Sequence, residues 1–507
     1  FLGWSRAARP VTRLQGITDL LALEKHAPAA VVPPAPVAVK PGAVRESVVS
    51  DGESEWEVTP ASQILPVKPD KSAAPASKSK NEEGPKGQMR VGVSEGVFAN
   101  TVFVQADELN KHSAFLGGPG SGKTTLALNL IEQLVIQGVP AILVDRKGDL
   151  AAYARDEAWD EELDDPMMVE RRKQLRERVD VALYTPGRSD GRPLSIPVVP
   201  RGLDKLSPEE RDQILQQAAD AFSTMLEYKS SPRDRAAKAL LALALRLLVQ
   251  RPSGKEITLD LIQRFVAAQD MTLVQEAHGL DDKVFVKLAQ DLATLRLNAQ
   301  ALLSNTGEKL DMNELLGLGA AKVPGKTRLT IISTKFLGGL HSSLFWVSQL
   351  LVEANRWASQ HPSPRLQAVL LFDEADIYLP AVGIPATKQP MENLLRRARS
   401  ASVGVMLATQ SPGDLDYKCR DNVRAWFAGR VKEETALRKL KPMFAEARVD
   451  ASVRLPAQKT GQFHVLREGQ VEQLKADRNI IKTEQLSEEE ILQLAHRSGE
   501  QGIRNAG

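Results

Sequence analysis

The stretch GGPGSGKTT, residues 117–125, decides which fold this sequence predicts. It matches the phosphate-loop pattern G-x-x-x-x-G-K-[ST], and it lies between a short apolar segment, residues 113–116, and a segment rich in leucine and alanine that is typical of a helix. Glycine lets the backbone turn its N–H groups toward phosphate oxygens, and the N-terminus of the following helix adds partial positive charge there. The stretch therefore predicts a binding site for a nucleoside triphosphate.

The phosphate loop also predicts which groups hold the nucleotide. The Lys123 ammonium would reach the β- and γ-phosphates, and the Thr124 hydroxyl would ligate Mg²⁺. The residues that we expect to bind the nucleotide are Gly117, Gly118, Gly120, Ser121, Gly122, Lys123, Thr124 and Thr125.

Length and composition limit the classes of protein to which the chain can belong. Its 507 residues are too many for one ordinary domain, and the hydrophobic content of 42% suffices for a core. The 66 lysines and arginines nearly balance the 64 aspartates and glutamates, so a surface that binds nucleic acid has to be local. A single cysteine, Cys419, excludes an intrachain disulfide and favours a reducing, cytoplasmic location. No apolar run is long enough to predict a membrane span.

Changes in composition along the chain predict six segments. Proline, alanine, serine and lysine dominate the second segment, which is typical of a flexible linker and suggests that a further module precedes it. The segments are an uncertain N-terminal part (1–26), this linker (27–88), a β-hairpin with the first half of the ATPase core (89–202), a helical insertion (203–320), the second half of the core (321–475) and a tail with a terminal helix (476–507).

Short apolar runs outside the insertion predict the strands of a mostly parallel central sheet, and hence an α/β fold. Residues 141–145, 369–372 and 403–409 are such runs, and polar or charged residues stand at or directly after the end of each. In a parallel sheet the carboxyl ends of the strands lie along one edge, where ligands bind. We therefore expect the polar residues that follow these runs to lie near the phosphate loop.

Two carboxylates directly follow the run 369–372. Asp373, at the end of the strand, can hold the Mg²⁺ shell, and Glu374 can polarise an attacking water. Gln410 ends the next predicted strand, where it can sense the γ-phosphate or orient water; a structural hydrogen bond is the alternative. These residues complete the predicted catalytic side of the site.

Other polar residues are open to a structural interpretation as well as a functional one. Asp145 can orient water or a neighbour's arginine, or it can cap the turn beside Gly148. His112 is better explained as a residue at the edge of the first core strand than as a catalytic group. The basic residues of the insertion can face a polyanion, but a solvated helix face explains them as well; they are Lys229, Arg233, Arg235 and Lys238.

Five stretches together resemble the HerA/FtsK superfamily of ring-forming ATPases, and most of all its HerA branch of bacterial and archaeal DNA translocases. They are GGPGSGKTT, ILVDRKGDL, VLLFDEAD, LLRRARSASVGVMLATQSPGDLD and the hairpin before residues 111–112. The resemblance covers residues 89–475 apart from the helical insertion. It implies a RecA-like (ASCE) P-loop NTPase core with an extra strand between the two nucleotide-binding strands, and ATP and Mg²⁺ as cofactors.

The same resemblance implies an assembly and partners. Members assemble as hexamers and pump double-stranded DNA through the central hole, often with a nuclease, in end processing or antiviral defence. Arg399 matches the arginine that members insert into the neighbouring subunit's site; Arg396 and Arg397 are alternatives, and a surface arginine without this task is another. Asp145 falls where HerA relatives keep an acidic residue. We expect a hexameric ATPase that translocates on or unwinds double-stranded DNA, with a nuclease or effector subunit as a partner.

Two other functions fit these motifs. One is a motor that moves protein, like the related ATPases of type IV secretion, which depend on a membrane apparatus. The other is a regulatory scaffold, in which ATP closes an assembly that switches on an effector.

Overall fold

The computed structural model describes residues 87–95, 99–200, 203, 206–251, 256–303 and 307–506. The expectations for the N-terminal segment and for nearly all of the linker lie outside the described residues. The strands are β1 (Gln88–Ser94), β2 (Thr101–Gln105), β3 (Ser113–Leu116), β4 (Ala141–Asp145), β5 (Val179–Tyr184), β6 (Leu194–Ser195), β7 (Glu308–Lys309), β8 (Thr327–Ser333), β9 (Ala368–Phe372), β10 (Val403–Thr409), β11 (Ala425–Ala428), β12 (Gln462–Arg467) and β13 (Gln470–Ala476). The α-helices are α1 (Lys123–Ile136), α2 (Pro166–Arg178), α3 (Pro208–Met225), α4 (Pro232–Gln250), α5 (Leu259–Ala267), α6 (Met271–Glu276), α7 (Asp282–Asn298), α8 (Gln300–Leu303), α9 (Met312–Leu315), α10 (Leu340–Gln360), α11 (Ala375–Tyr378), α12 (Lys388–Arg397), α13 (Glu434–Ala445), α14 (Ala451–Arg454) and α15 (Glu488–Ala506).

One large sheet organises the described chain. Its strands lie in the order β2-β1-β13-β12-β11-β3-β10-β9-β4-β8-β5, and every pairing from β11 to β5 is parallel. These strands read as apolar runs because helices cover both of their faces. The α/β class and the mostly parallel sheet are therefore confirmed. Strand β10 lies between β3 and β9, where the resemblance placed an extra strand.

Two antiparallel hairpins extend the parallel part of the sheet. Strands β1 and β2 form the hairpin that the sequence predicts, but this hairpin is not a separate unit, since β1 also pairs with β13. The register aligns Gly92 with Ala476. Pairing covers strand edges that would otherwise stay open, and it joins the first strand of the described chain to the last one in one sheet.

Helices pack on both faces of the sheet. On one face α1, α2 and the buried part of α15 share a core with the strands. On the other face α10 and α12 pack together with helices from the predicted insertion, and Phe222 of α3 lies 4.9 Å from Phe345 of α10, ring centre to ring centre. The helices of the insertion thus share the core of this sheet face. Among the described helices, none combines the length and apolar character that crossing a membrane requires.

Capping residues fix the starts of two helices that the sequence predicted. At α3, the Ser207 hydroxyl accepts from the Glu210 amide, and the Glu210 carboxylate accepts from the Ser207 amide. Ser487 and Glu490 make the same reciprocal pair at α15. Helix α15 then covers the edge strand β5, whose Leu183 amide donates to the Ser498 hydroxyl over 3.1 Å. This contact protects the outer edge of the parallel sheet.

Candidate nucleotide-binding site

The phosphate loop connects β3 to α1, as the sequence predicts, and its glycines are required by close contacts. A Cβ on Gly117 would lie 2.5 Å from the Ser121 hydroxyl oxygen, so a larger residue would displace that side chain. Gly122 has a φ of +93°, which a residue with a Cβ rarely adopts, and the Gly461 amide donates to the carbonyl of the preceding residue, Ser121, over 3.0 Å. The loop is therefore held tightly against the segment that precedes β12.

Hydrogen bonds hold the outer backbone of the loop and leave the start of α1 free. The Gly118 amide donates to the Arg430 carbonyl over 2.9 Å, and the Thr460 hydroxyl donates to the Gly120 carbonyl over 3.0 Å. No side chain caps the N-terminus of α1, which follows Gly122. The first amides of α1 thus remain available to an anion, and the helix dipole favours negative charge there.

Lys123 and Asp373 approach this point from neighbouring elements. Lys123 is only 4% exposed; burial lowers the pKa of its ammonium, and the charge of Asp373 opposes that effect. Asp373 follows β9 and is 1% exposed, and neither of its carboxylate oxygens has a hydrogen-bond donor among the described residues. A buried carboxylate without a donor is costly unless a cation accompanies it.

The donor set at this point fits Mg²⁺. Asp373 offers two carboxylate oxygens, and Thr124, the second residue of α1, offers a half-buried hydroxyl. When bound, the ion would link these oxygens to the nucleotide and neutralise phosphate charge. The amides of the loop and Lys123 would hold the phosphates themselves.

Glu374 lies beside Asp373 and is restrained by two cations. Its backbone is left-handed, with φ 55° and ψ 46°, which turns the side chain sharply at the end of β9. The Arg146 guanidinium donates to one carboxylate oxygen over 2.9 Å, and the Lys147 ammonium lies 3.2 Å from the other. Burial alone would raise the pKa of Glu374, but the bonds and charges of these cations lower it below its usual range. Glu374 is therefore ionised at neutral pH, as a general base must be.

Gln410 directly follows β10, which lies between β3, the strand before the phosphate loop, and β9, the strand before Asp373. The preceding residue, Thr409, contacts the segments that follow both neighbouring strands: its carbonyl accepts from the Gly117 amide over 3.3 Å, and its hydroxyl donates to Asp376 of α11. The half-buried side chain of Gln410 therefore starts from the middle of the site.

A comparison with protein families identifies the domain that this site belongs to. The family described as "Helicase HerA, central domain" matches residues 98–332, which include the phosphate loop and Asp145. This part of the chain is a HerA-type P-loop ATPase domain. ATP and Mg²⁺ are the cofactors of such a domain, and the donor set described above fits both. A comparison with curated proteins finds no match.

A comparison with solved structures finds similar chains at low sequence identity. VirB4 of Thermoanaerobacter pseudethanolicus is 14% identical with a TM-score of 0.52, and the match covers 79% of this chain and 98% of VirB4. The bacterial conjugative coupling protein TrwB, in its unbound monoclinic form, is 14% identical with a TM-score of 0.49, over 80% of this chain and 91% of TrwB. The plasmid coupling protein TrwB in complex with ADP and Mg²⁺ is 13% identical with a TM-score of 0.48, and the match covers 76% of this chain and 89% of that TrwB chain. The VirB4 likeness supports the RecA-like fold.

Within the matched domain, the contacts of Asp145 fit its structural interpretation, a cap on the turn beside Gly148. Its side chain is fully buried at the end of β4 and accepts from three backbone amides, those of Lys147, Gly148 and Leu150, over 2.8–3.1 Å. Burial and the charge of Asp149 raise the pKa of Asp145, and these amide bonds oppose the rise. Asp145 therefore fixes the loop that carries Arg146 and Lys147. A direct catalytic role for Asp145 stays a prediction that these contacts do not favour.

Arg399, which lies outside the matched residues, is far from the phosphate loop of its own chain. It belongs to a short 3-10 helix, Ala398–Ala401, that precedes β10, whereas the phosphate loop follows the parallel neighbour β3. The seven residues of β10 at about 3.3 Å each separate the two sheet edges by roughly 20 Å. Arg399 is exposed and forms no ion pair with any described residue. The Arg396 guanidinium, by contrast, is bonded to Asn393 of its own helix.

The sequence interpretation assigned no role to three charged residues that the structure places in this site. Arg146, Lys147 and Asp149 follow β4, and β4 pairs directly with β9, which ends at Asp373 and Glu374. Asp149 has a buried carboxylate oxygen without a partner; burial and the charge of Asp373 raise its pKa. The sequence signal for these three residues is the charged stretch DRKGD, residues 145–149, at the end of a buried strand. Only Asp145 of this stretch was considered as a site residue.

His112 is a buried structural residue. It is 1% exposed, its Nδ1 accepts from the Val405 amide over 3.0 Å, and its Nε2 lies 2.9 Å from the Leu395 carbonyl, to which it donates. The ring thus joins β3 to β10 and to α12. Burial lowers the pKa of His112 to about 4.

Because His112 stays neutral in the fold, we expect acid to weaken the fold through this residue. The unfolded chain takes up a proton at its ordinary pKa of 6.5, whereas the folded chain does so at about 4. The stabilisation is complete above pH 6.5 and is lost as the pH falls to 4, by about 3 kcal/mol in total. Urea unfolding at pH 7 and at pH 4.5 of the wild type and of His112→Asn, which does not titrate, measures the effect. The wild type loses more stability than the variant; parallel pH profiles would contradict the assignment.

Proposed function

We propose that this chain is a ring-forming ATPase that translocates on or unwinds double-stranded DNA. The observation that carries the proposal is the match of residues 98–332 to the central domain of the HerA helicase. The site supports it, because the phosphate loop, Asp373 and Glu374 lie along one edge of the sheet, as ATP hydrolysis requires.

In this proposal each group has a defined task. Lys123 and the loop amides hold the phosphates, Thr124 and Asp373 hold Mg²⁺, and Glu374 takes the proton of the attacking water. Gln410 orients that water or senses the γ-phosphate. Asp145 fixes the loop beside these groups.

A ring is supported by the placement of Arg399. The phosphate loop lies at the carboxyl edge of the parallel strands and Arg399 at their amino edge, so the two belong to opposite sides of one chain. A contact that joins opposite sides of identical chains is heterologous, and it closes into a ring when the rotation permits. Arg399 would then complete the site of the next protomer in a hexamer.

DNA stimulation of hydrolysis tests the proposal. We expect double-stranded DNA to raise the ATPase rate severalfold, and we expect the stimulation to fall steeply between 50 and 200 mM salt because phosphate contacts release counterions. Particle images with a non-hydrolysable ATP analogue and a duplex should show rings. A rate that does not respond to DNA, in a chain that forms no ring with nucleotide, would contradict the proposal.

A motor that moves protein is the second candidate, and the loop 380–387 favours it. Val382 and Ile384 at its tip are 89% and 88% exposed, and Lys388, which follows the loop, is paired with Asp416 over 2.8 Å. An apolar tip suits a polypeptide, whereas a grip on DNA needs cations. Stimulation of the ATPase by an unfolded polypeptide and not by DNA would support this candidate.

No comparison points to a nuclease or effector subunit, and we propose no such partner. The regulatory scaffold remains an outcome of the Glu374 experiment described below. We propose the cytoplasm as its compartment, because a chain with a single cysteine fits a reducing environment.

A further inference from the structure

The Lys147 ammonium occupies the space between the two carboxylates that serve the nucleotide. It lies 3.7 Å from an Asp373 oxygen and 3.2 Å from a Glu374 oxygen. The side chain is 32% exposed, whereas Asp373 is almost completely buried. Lys147 therefore places a partly exposed cation between these two carboxylates.

Asp373 needs that cation when no metal is bound. Its two oxygens lack hydrogen-bond donors, so neighbouring charges have to stabilise its ionised form. Lys123 supplies one positive charge, but the phosphates of a bound nucleotide compete for it. The Lys147 ammonium, 3.7 Å from an Asp373 oxygen, supplies a second positive charge that the phosphates do not need.

The backbone that carries Lys147 is fixed, so only the end of its side chain can respond to a ligand. The Lys147 amide donates to Asp145 over 3.0 Å. The next residue, Gly148, has a φ of +87°, and a Cβ there would lie 2.7 Å from Ile491 of α15 and 3.4 Å from Lys335. The loop therefore has no room to move toward α15.

We propose that Lys147 is a resident counter-cation, which neutralises Asp373 and Glu374 in the empty site and is displaced from Asp373 when Mg²⁺ enters with the nucleotide. The inference rests on the proposed role of Asp373 as the residue that holds the Mg²⁺ shell. It goes beyond that role, because it makes the ammonium and the metal competitors for one carboxylate. Competition raises the Mg²⁺ concentration that the loaded site requires.

A Mg²⁺ titration tests the competition without hydrolysis. Binding of a fluorescent, non-hydrolysable ATP analogue is measured at fixed analogue concentration and rising Mg²⁺, in the wild type, Lys147→Met and Lys335→Met. We expect the half-saturating Mg²⁺ concentration to fall about tenfold in Lys147→Met, a factor that corresponds to about 1.4 kcal/mol. Lys335→Met is the matched control, because the Lys335 side chain lies beside the same loop, 3.4 Å from where a Cβ on Gly148 would be, but forms no ion pair with a described residue, and it should titrate like the wild type. Lys147→Arg, which keeps the charge, should stay close to the wild type.

A second readout needs no nucleotide. Mg²⁺ alone should raise the melting temperature of Lys147→Met more than that of the wild type, since Asp373 lacks its counter-cation in the variant. Equal Mg²⁺ requirements in the wild type and Lys147→Met would overturn the inference.

Asp373→Asn separates this outcome from a failure of the proposed site. If Asp373→Asn raises the Mg²⁺ requirement while Lys147→Met changes nothing, the inference alone fails. If Asp373→Asn also changes nothing, the assignment of Asp373 fails, and the inference fails with it.

Discussion

Glu374→Gln should lower the kcat of ATP hydrolysis by about 10²–10⁴ and leave ATP binding intact. The amide keeps the shape of the side chain but cannot accept the proton of the attacking water, and loss of a positioned general base costs a factor of this size. Arg146 can still donate to the amide oxygen, so the turn at the end of β9 should be preserved. We expect the dissociation constant for ATP to stay the same or to fall, because a negative charge near the γ-phosphate is removed.

Asp376→Asn is a matched control for the Glu374 variant. Asp376 lies two residues further on and accepts from the Thr409 hydroxyl, a bond that the asparagine oxygen can keep. This variant replaces a carboxylate by an amide only two residues from Glu374, and it should retain most of the rate. Single-turnover hydrolysis and equilibrium binding of a fluorescent ATP analogue measure the two effects separately. An equal loss of rate in both variants would show that charge, and not a base at Glu374, limits hydrolysis.

The Glu374 variant also decides between a motor and a scaffold. A motor needs hydrolysis, so DNA movement should stop when kcat falls. A scaffold needs only the closed, ATP-bound assembly. If Glu374→Gln binds ATP and retains full biological activity, the regulatory scaffold is the better interpretation, and DNA translocation is not.

The sequence predicted those parts of the site whose residues belong to one short, continuous motif. The phosphate loop is continuous in the chain, so the sequence of this motif alone places Lys123 at the start of α1. Asp373 and Glu374 follow an apolar run that is typical of a buried strand, and the residue after such a strand in a parallel sheet lies at the edge where ligands bind. The structure places these three residues at one sheet edge, and their catalytic tasks stay predictions.

The pairings between distant segments could not be predicted. Arg146 contacts Glu374 across 228 positions, and the contact depends on β4 lying next to β9 and on the left-handed turn at Glu374. The register of Gly92 with Ala476 likewise joins the hairpin of β1 and β2 to a hairpin almost four hundred residues further along the chain. Strand order decides both cases, and a hydrophobic pattern specifies a strand without naming its neighbour.

Arg399→Ala should lower the ATPase rate of the assembled protein by about 10³–10⁵ while nucleotide still binds. A guanidinium that reaches the γ-phosphate from a neighbouring protomer neutralises charge in the transition state, and its loss costs a factor of this size. Arg396→Ala is the matched control, because the Arg396 guanidinium is held by Asn393 of its own helix, and the variant should keep its activity. Steady-state rates above the concentration at which rings form measure the difference.

Mixing two inactive variants tests whether Arg399 acts on a neighbour. Arg399→Ala keeps an intact phosphate loop, and Lys123→Ala keeps an intact arginine. Where the two meet in the right order, one protomer supplies the lysine and the next supplies the guanidinium, so an equal mixture should regain about a quarter of the wild-type rate. The proteins are mixed before ATP is added, so that the protomers can exchange.

The distance along β10 makes the mixing experiment a decisive test of whether Arg399 acts between protomers. An arginine roughly 20 Å from the phosphate loop of its own chain cannot serve that loop, so Arg399 either acts between protomers or does not act in hydrolysis at all. A mixture that stays inactive although both variants enter the same rings would remove Arg399 from the site. Full activity of Arg399→Ala with loss in Arg397→Ala would instead assign the task to Arg397, which is also exposed and lies at the end of α12, on the same side of the sheet. Rescue in the mixture would locate ATP hydrolysis at the contact between two protomers, where its energy can move one protomer against the next.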